Sequence, residues 1–221
     1  DEIFGQYVSF LTRRINLLKG RLNQEEFEKL KNRPYPPYLA MLSGSRQESD
    51  DQLRQKFGRL FLYYIYWRTD TAEISKEIDI LRVWLRDLIK LRDARPHWIV
   101  VWVNKEGAIA PVALKDFWGG SLSAGGEITV DPAFTKKGKE AIDALFKEIE
   151  EALDEPALME KQRLETDAYY RKNCFSAWRN FALRFSDGSK RLNGKSEWMQ
   201  AATKMGRDEG PYFALLNRMT V

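Results

Sequence analysis

The stretch from Glu127 to Glu155, EITVDPAFTKKGKEAIDALFKEIEEALDE, places the tightest constraint on what this chain can fold into. Ile128, Thr129 and Val130 favour extended backbone, and Pro132 ends the ladder because it has no amide hydrogen to donate. Thr135 stands where a helix N-cap belongs, its hydroxyl able to accept from an amide one turn on. Ile142, Leu145, Phe146, Ile149, Ala152 and Leu153 then recur at helical spacing. Lys136, Lys137, Lys139, Asp143, Lys147, Glu148 and Glu150 fill the other face, and Pro156 is expected to stop the helix. The chain must therefore turn from strand to amphipathic helix within a few residues.

The bulk numbers bound the rest. A chain of 221 residues, 43% hydrophobic and 31% charged, is long enough and apolar enough for a real core. A net charge of +4 spread along the chain does not select nucleic acid or an anionic membrane as partner, and no nucleic-acid role is expected. The single cysteine, Cys174, leaves no internal disulfide and no cysteine-based zinc site. The apolar run from Leu60 to Trp67 is too short to span a bilayer. The sequence begins without Met and stops at Val221 without winding down, which reads as a piece of something larger whose anchors lie elsewhere.

Taken in order, Phe4, Val8, Leu11, Ile15 and Leu18 make a helical stripe that Gly20 is expected to end. Glu25–Lys31 adds a turn or two, PYPPY (34–38) re-aims the chain, and 43–50 reads as a polar loop. Leu53, Phe57, Leu60, Phe61 and Tyr64 mark the inner face of a second helix. Ile74, Ile78, Leu81, Leu85 and Leu88 mark a third, widened by Trp84 and Leu91 and ending by Arg95, and these two should pack antiparallel. Trp98–Val103 is β-branched and aromatic, so the spacing predicts a strand with Ile109–Leu114 pairing back on it and 128–130 as a third. Asp116–Gly126 (DFWGGSLSAGG) reads as a glycine-rich loop. A long helix from Leu158 to Phe185 carries Leu164, Tyr170, Cys174, Ala177, Trp178, Phe181 and Phe185, and two shorter helices (196–205 and 212–219) follow, hinged at Gly210-Pro211. The expected fold is mainly α, a multi-helix domain with a small antiparallel β insertion. Its segments are a helical part over 1–95, the insertion over 96–133 and a helical part over 134–221, together one structural unit.

Chemical signals are sparse. Gly194-Lys195-Ser196 ends like a phosphate-binding loop, but its leading glycine would fall on Ser189 and no strand feeds it, so it reads as a basic turn capped by Ser196. His97 is the only histidine and has no second ligand beside it, and Cys174 shares an apolar face with Tyr170 and Trp178, as a buried inert thiol would. Asp70 with Glu73, or Asp116 near Glu127, would supply the two carboxylates of a glycosidase, but nothing marks a cleft. Lysines 136, 137 and 139 read as a solvated face or as a place for an anion at a helix start. Five or more of the seven Trp are expected in the core, the others being interface anchors. No catalytic, metal or cofactor residue is therefore expected. The candidates for a partner interface are Trp118, Lys136, Lys137, Trp178, Tyr212 and Phe213.

Four segments occur in a fixed order: Phe117-Trp118-Gly119; VDPAFTKKG from Val130 to Gly138; Tyr169-Tyr170 with Ala177-Trp178 eight residues on; and GPYFALL from Gly210 to Leu216. Together they resemble the IcmF/TssM proteins of bacterial type VI secretion systems, over roughly Leu53–Val221. The resemblance implies a helical stretch of the periplasmic region of a large inner-membrane protein, ahead of a β-rich end that meets an outer-membrane lipoprotein. It implies a structural, non-enzymatic scaffold that oligomerises and contacts other membrane-complex subunits, touching membrane only through segments outside this chain. The family's ATPase activity is not implied here, since the phosphate-binding loop is absent. A long helix of about 28 residues, rising 1.5 Å each, would give a strut of roughly 40 Å. The alternative is a soluble helical protein-binding module of unrelated family.

Overall fold

The computed structural model describes residues 1–37, 49–91, 97–106, 108–120 and 127–220. The loop expected at 43–50, the helix end expected at Arg95 and most of the glycine-rich 116–126 segment fall wholly or partly outside them. The chain is mainly α with one small antiparallel ladder, as expected. It divides into two compact units, each discontinuous in sequence: residues 1–105 with 142–168, and 106–141 with 169–221. The consecutive segments 1–95, 96–133 and 134–221 thus follow the chain, whereas compactness groups pieces distant along it. No helix among the described residues is long and apolar enough to cross a membrane.

The first unit is built around α1 (Glu2–Leu22). Val8, Ile15, Leu17 and Leu18 on it are wholly buried, and so are Ser9 and Thr12, so the helix is covered on most of its surface. It runs past Gly20, the expected stop, because a glycine there lets Leu30 of α2 (Phe27–Lys31) approach: a Cβ would lie 2.6 Å from the leucine Cδ2. Against α1 lie α3 (Ser49–Trp67) and, more extensively, α4 (Thr71–Leu91). The expected α3–α4 pairing is not the main contact of either, since both dock on α1 instead. Ile74, Ile78, Leu81 and Leu85 of α4 are buried as predicted, while Trp84 and Leu91 are exposed and widen nothing. The face of α3 predicted to point inward also points out. Its buried side carries Gly58, Leu62 and Ile65, and Leu53, Phe57, Leu60 and Tyr64 are exposed.

The largest correction is at 98–103. The expected strand is α5 (Trp98–Glu106), with Trp98, Ile99, Val100, Trp102 and Val103 all buried. A short continuous apolar run has no periodicity to separate a buried strand from a buried helix, and packing decides. Here Trp98 meets Phe4 of α1 edge-on at 5.1 Å, and Arg13 stacks over Trp102 at 5.8 Å. The hairpin expected between 98–103 and 109–114 therefore does not form. Its second half pairs with the third predicted strand: β1 (Val112–Ala113) with β2 (Thr129–Val130), Val112 opposite Val130.

Helix α7 (Lys136–Leu153) follows the sequence pattern closely, with Ile142, Leu145, Phe146, Ile149, Ala152 and Leu153 all buried. In the first unit its later turns lie along α1, where Asn16 donates to the Glu148 carbonyl at 2.9 Å and Arg13 pairs with the Glu148 carboxylate. Pro156 is not only a stop. It opens α8 (Pro156–Leu183), as proline can at the first helical position, whose amide needs no partner. Phe181 is buried on α8 and Phe185 just beyond it, but Leu164, expected on the same stripe, is exposed. Of the seven tryptophans only Trp98, Trp102 and Trp118 are in the core, fewer than expected; Trp67, Trp84 and Trp198 are exposed and Trp178 is half-buried.

Candidate partner-binding pocket

The second unit assembles its site from a turn, a helix start and two helix faces. Residues Pro132–Phe134 make a single 3-10 turn, after which Thr135 is extended and buried. Its Oγ1 accepts from the Gly138 amide at 3.1 Å and donates to the Pro132 carbonyl at 2.7 Å, so one hydroxyl ties the turn to the first turn of α7. Lys136 and Lys137, the first helical residues, are exposed. Beside them on α8, the Trp178 Nε1–H donates to the Phe134 carbonyl at 2.9 Å, which fixes the plane of the indole. Tyr170 packs on Phe134 at 5.7 Å, with the Lys139 ammonium 5.5 Å from its ring centre.

The opposite wall is α10 (Pro211–Thr220), which begins at Pro211 after the Gly210 carbonyl accepts from the Ala214 amide at 2.9 Å. An aromatic cluster holds it in place. Tyr212 meets Phe185 at 5.2 Å and Trp118 at 5.7 Å, and Phe117 of α6 (Lys115–Trp118) meets Phe185 at 5.4 Å and Phe181 at 5.9 Å. Beneath it the buried Arg191 guanidinium donates to the Gly119 carbonyl and pairs with Glu127, whose other oxygen accepts from the Lys115 amide at 3.2 Å. A buried charge held by a carboxylate and a carbonyl rigidifies its surroundings, because losing either partner would strand it.

Between these walls lies a cavity of about 640 Å³. Lys136, Lys137, Trp178 and Arg218 line it together with Asp208, Ile109 and Ala214. Three cations face one carboxylate, and among the described residues no ion pair occupies Lys136, Lys137 or Arg218. The positive end of the α7 dipole points the same way. An indole and small apolar groups beside unpaired cations suit a segment that brings both a carboxylate and apolar surface. The lining hydroxyl, Thr135, is committed to its two backbone partners.

Of the residues expected to meet a partner, Lys136, Lys137 and Trp178 converge on this cavity. Trp118 lies instead in the aromatic cluster, 6% exposed, where Tyr212 meets it edge-on, while Tyr212 and Phe213 are both exposed on α10. Sequence reasoning missed Ile109, Asp208 and Arg218, which stand in none of the four segments, and it did not single out Ala214 within GPYFALL.

The other chemical candidates are engaged elsewhere. Asp70 accepts from the Glu73 amide at 3.0 Å as the cap of α4, and Asp116 accepts from the Ala113 amide at 2.8 Å. His97 lies 3.1 Å from the Asp1 carboxylate. At Gly194 the helix α9 (Lys195–Met205) starts on the glycine itself, not on Ser196. The Glu197 carboxylate accepts from the Asn193 amide at 2.8 Å, putting negative charge where a phosphate would need donors. Cys174 is half-buried, and burial pushes its thiol up despite a hydrogen bond with Tyr170. Among the described residues no group of three or more His, Cys, Asp or Glu side chains is placed to hold a metal ion. No family model matches the chain, and no curated protein or solved structure matches it either.

Proposed function

We propose that this chain is a structural, non-enzymatic segment of the trans-envelope membrane complex of a type VI secretion system, a helical scaffold that grips a neighbouring subunit through the pocket at the start of α7. One observation carries the reading. The four segments that resemble IcmF/TssM proteins, spread from Phe117 to Leu216, all fall within the second unit, and each supplies a residue to the cavity or to the aromatic cluster. The VDPAFTKKG segment supplies Thr135, Lys136 and Lys137, the Ala177-Trp178 pair supplies the indole, and GPYFALL supplies Tyr212 and Ala214. Residues kept together in that way serve a surface rather than a reaction. In this reading the chain works in the periplasm as part of an inner-membrane-anchored protein, self-associates in the full-length protein, and binds other subunits of the complex.

The test is co-purification of the full-length protein with the other membrane-complex subunits, comparing wild type with Lys136→Glu/Lys137→Glu/Arg218→Glu. Reversing three unpaired cations should weaken capture by about tenfold or more, some 1.4 kcal/mol, and depress secretion. Assembly and secretion at wild-type levels would sink the proposal. A second reading, a soluble helical binding module of unrelated family, is favoured by the same cation and indole lining, which would serve any acidic partner. Membrane-spanning segments upstream in the full gene product support the first reading, and their absence supports the second.

A further inference from the structure

The outer face of α8 is uncovered from one end of the helix to the other. Lys161, Leu164, Ala168, Arg171 and Phe175 follow one another at steps of three, four, three and four residues, with Ala182 seven further on. All are exposed, Leu164 by 66% and Phe175 by 71%. That spacing is the seam a helix presents to one other helix, here about 30 Å long at 1.5 Å per residue. Its charges divide at the middle. Glu160 and Glu165 stand before Ala168, whereas Arg171, Lys172 and Arg179 stand after it. Among the described residues none of the five has an ion-pair partner, while Arg163, on the other side of the helix, pairs with Glu150 at 2.9 Å.

A face acidic in one half and basic in the other is complementary to itself turned end for end. We propose that α8 is a homodimer face, pairing antiparallel with α8 of a second copy about a two-fold axis level with Tyr169 and Tyr170. Leu164 of one copy then stands level with Phe175 of the other, and the small Ala168 beside it leaves room for the ring. Glu165 and Lys172, seven residues apart, lie on the same edge of the helix, and the two-fold brings like edges together. The two side chains meet across the seam within about 3 Å along the axis, once on each side of the two-fold. Lys161 and Arg179 share that edge and meet at its two ends, a like-charge contact that weakens the pair. A parallel copy would set Arg171, Lys172 and Arg179 against themselves. An anionic bilayer, or a partner helix acidic throughout, would be repelled by Glu160 and Glu165. None of these residues lines the pocket at the start of α7, so the pairing and the capture of another subunit can be lost separately.

The experiment is sedimentation equilibrium of the 221-residue chain over a range of concentrations, which should show a reversible monomer–dimer equilibrium. Phe175→Glu should weaken it by about tenfold or more with the far-UV spectrum unchanged. If that variant fails to fold, Leu164→Gln should give a loss in the same direction. Glu165→Lys and Lys172→Glu should each weaken the dimer about tenfold, because each change replaces two attractions by two repulsions. Combined in one chain they exchange the charges and should restore association to within about threefold of wild type. Lys161→Glu, which turns the end contacts into attractions, should tighten the dimer. A chain that stays monomeric at every concentration overturns the proposal. So does a dimer indifferent to Phe175→Glu, a double variant no better than its single parents, or a Lys161→Glu dimer no tighter than wild type. Adsorption of a monomeric chain to phosphatidylglycerol vesicles, lost in Phe175→Glu, would make the occupant a membrane and overturn it too.

Discussion

Gly138→Ala reverses an ordinary expectation. In a helix interior alanine is favoured over glycine by about 1 kcal/mol, so the substitution should stabilise most helices. At this position a Cβ would lie 2.1 Å from the Pro132 carbonyl oxygen and 2.6 Å from both Cα and the carbonyl oxygen of Ala133. These are backbone atoms of the turn that Thr135 ties down, so no side chain can swing aside and the turn itself must move. Overpacking of this kind costs about 1–3 kcal/mol, with the upper end appropriate for a backbone clash. After the propensity gain, a net loss of about 2 kcal/mol remains, which for a chain of this size lowers the melting temperature by about 4–8 °C. The control is Gly206→Ala. That residue has φ −92°, and open space surrounds the place its Cβ would take, so its melt should shift by no more than about 2 °C. Thermal unfolding followed by circular dichroism reads both variants. A Gly138→Ala melting temperature equal to or above wild type would refute the close packing of this turn, and with it the geometry of the pocket mouth.

Trp178→Phe keeps the aromatic contact with Phe181 at 6.0 Å but removes the donor to the Phe134 carbonyl, and should cost about 1 kcal/mol in urea unfolding; no loss would mean that water replaces the indole without penalty. Burial pushes the Glu77 carboxyl up, but hydrogen bonds from Arg68 and Arg14 outweigh it and hold the group below its ordinary value. Its contribution is therefore complete above the unfolded carboxylate pKa, about 4.3, and is lost as pH falls through the lower folded value. Wild type should exceed Glu77→Gln by a constant margin from pH 6 to 8, the margin shrinking in acid; a margin that stays flat down to pH 2 would contradict the pairing. Because burial raises the Cys174 thiol, iodoacetamide should label the native chain at pH 8 about tenfold more slowly than the urea-unfolded chain, and equal rates would show an open thiol.

The helices whose apolar residues meet one neighbour were legible in the sequence. On α7 every predicted inward position is buried, because one face is apolar and the other charged, leaving a single way to dock. Helix α3 was recognisable as a helix, but its orientation was not. Two apolar faces compete there, and the periodicity that located the Leu53–Tyr64 stripe says nothing about which side meets α1. The run Trp98–Val103 failed for a related reason. Its local preference is extended, and burial between other elements, which only the assembled fold supplies, makes it helical. The Thr135 cap was readable because its chemistry is local, and Lys136 and Lys137 came with it. Arg218 reaches the same cavity through α10, which packs on Trp118 and Phe185, and Asp208 through the turn before it; neither residue belongs to GPYFALL, the segment between them. Trp118 was legible as important, but as the support of α10 rather than as a surface.

The claim that the second unit exists to hold another protein is tested most directly by photo-crosslinking in intact cells. A benzoyl-phenylalanine placed at Ala110, an exposed residue on the pocket wall, reports whatever enters. On illumination the account predicts an adduct with another membrane-complex subunit, present from position 110, absent from the exposed Glu160 of α8, and lost in the Lys136→Glu/Lys137→Glu/Arg218→Glu background. No adduct from Ala110, or one that survives the charge reversal unchanged, would contradict it.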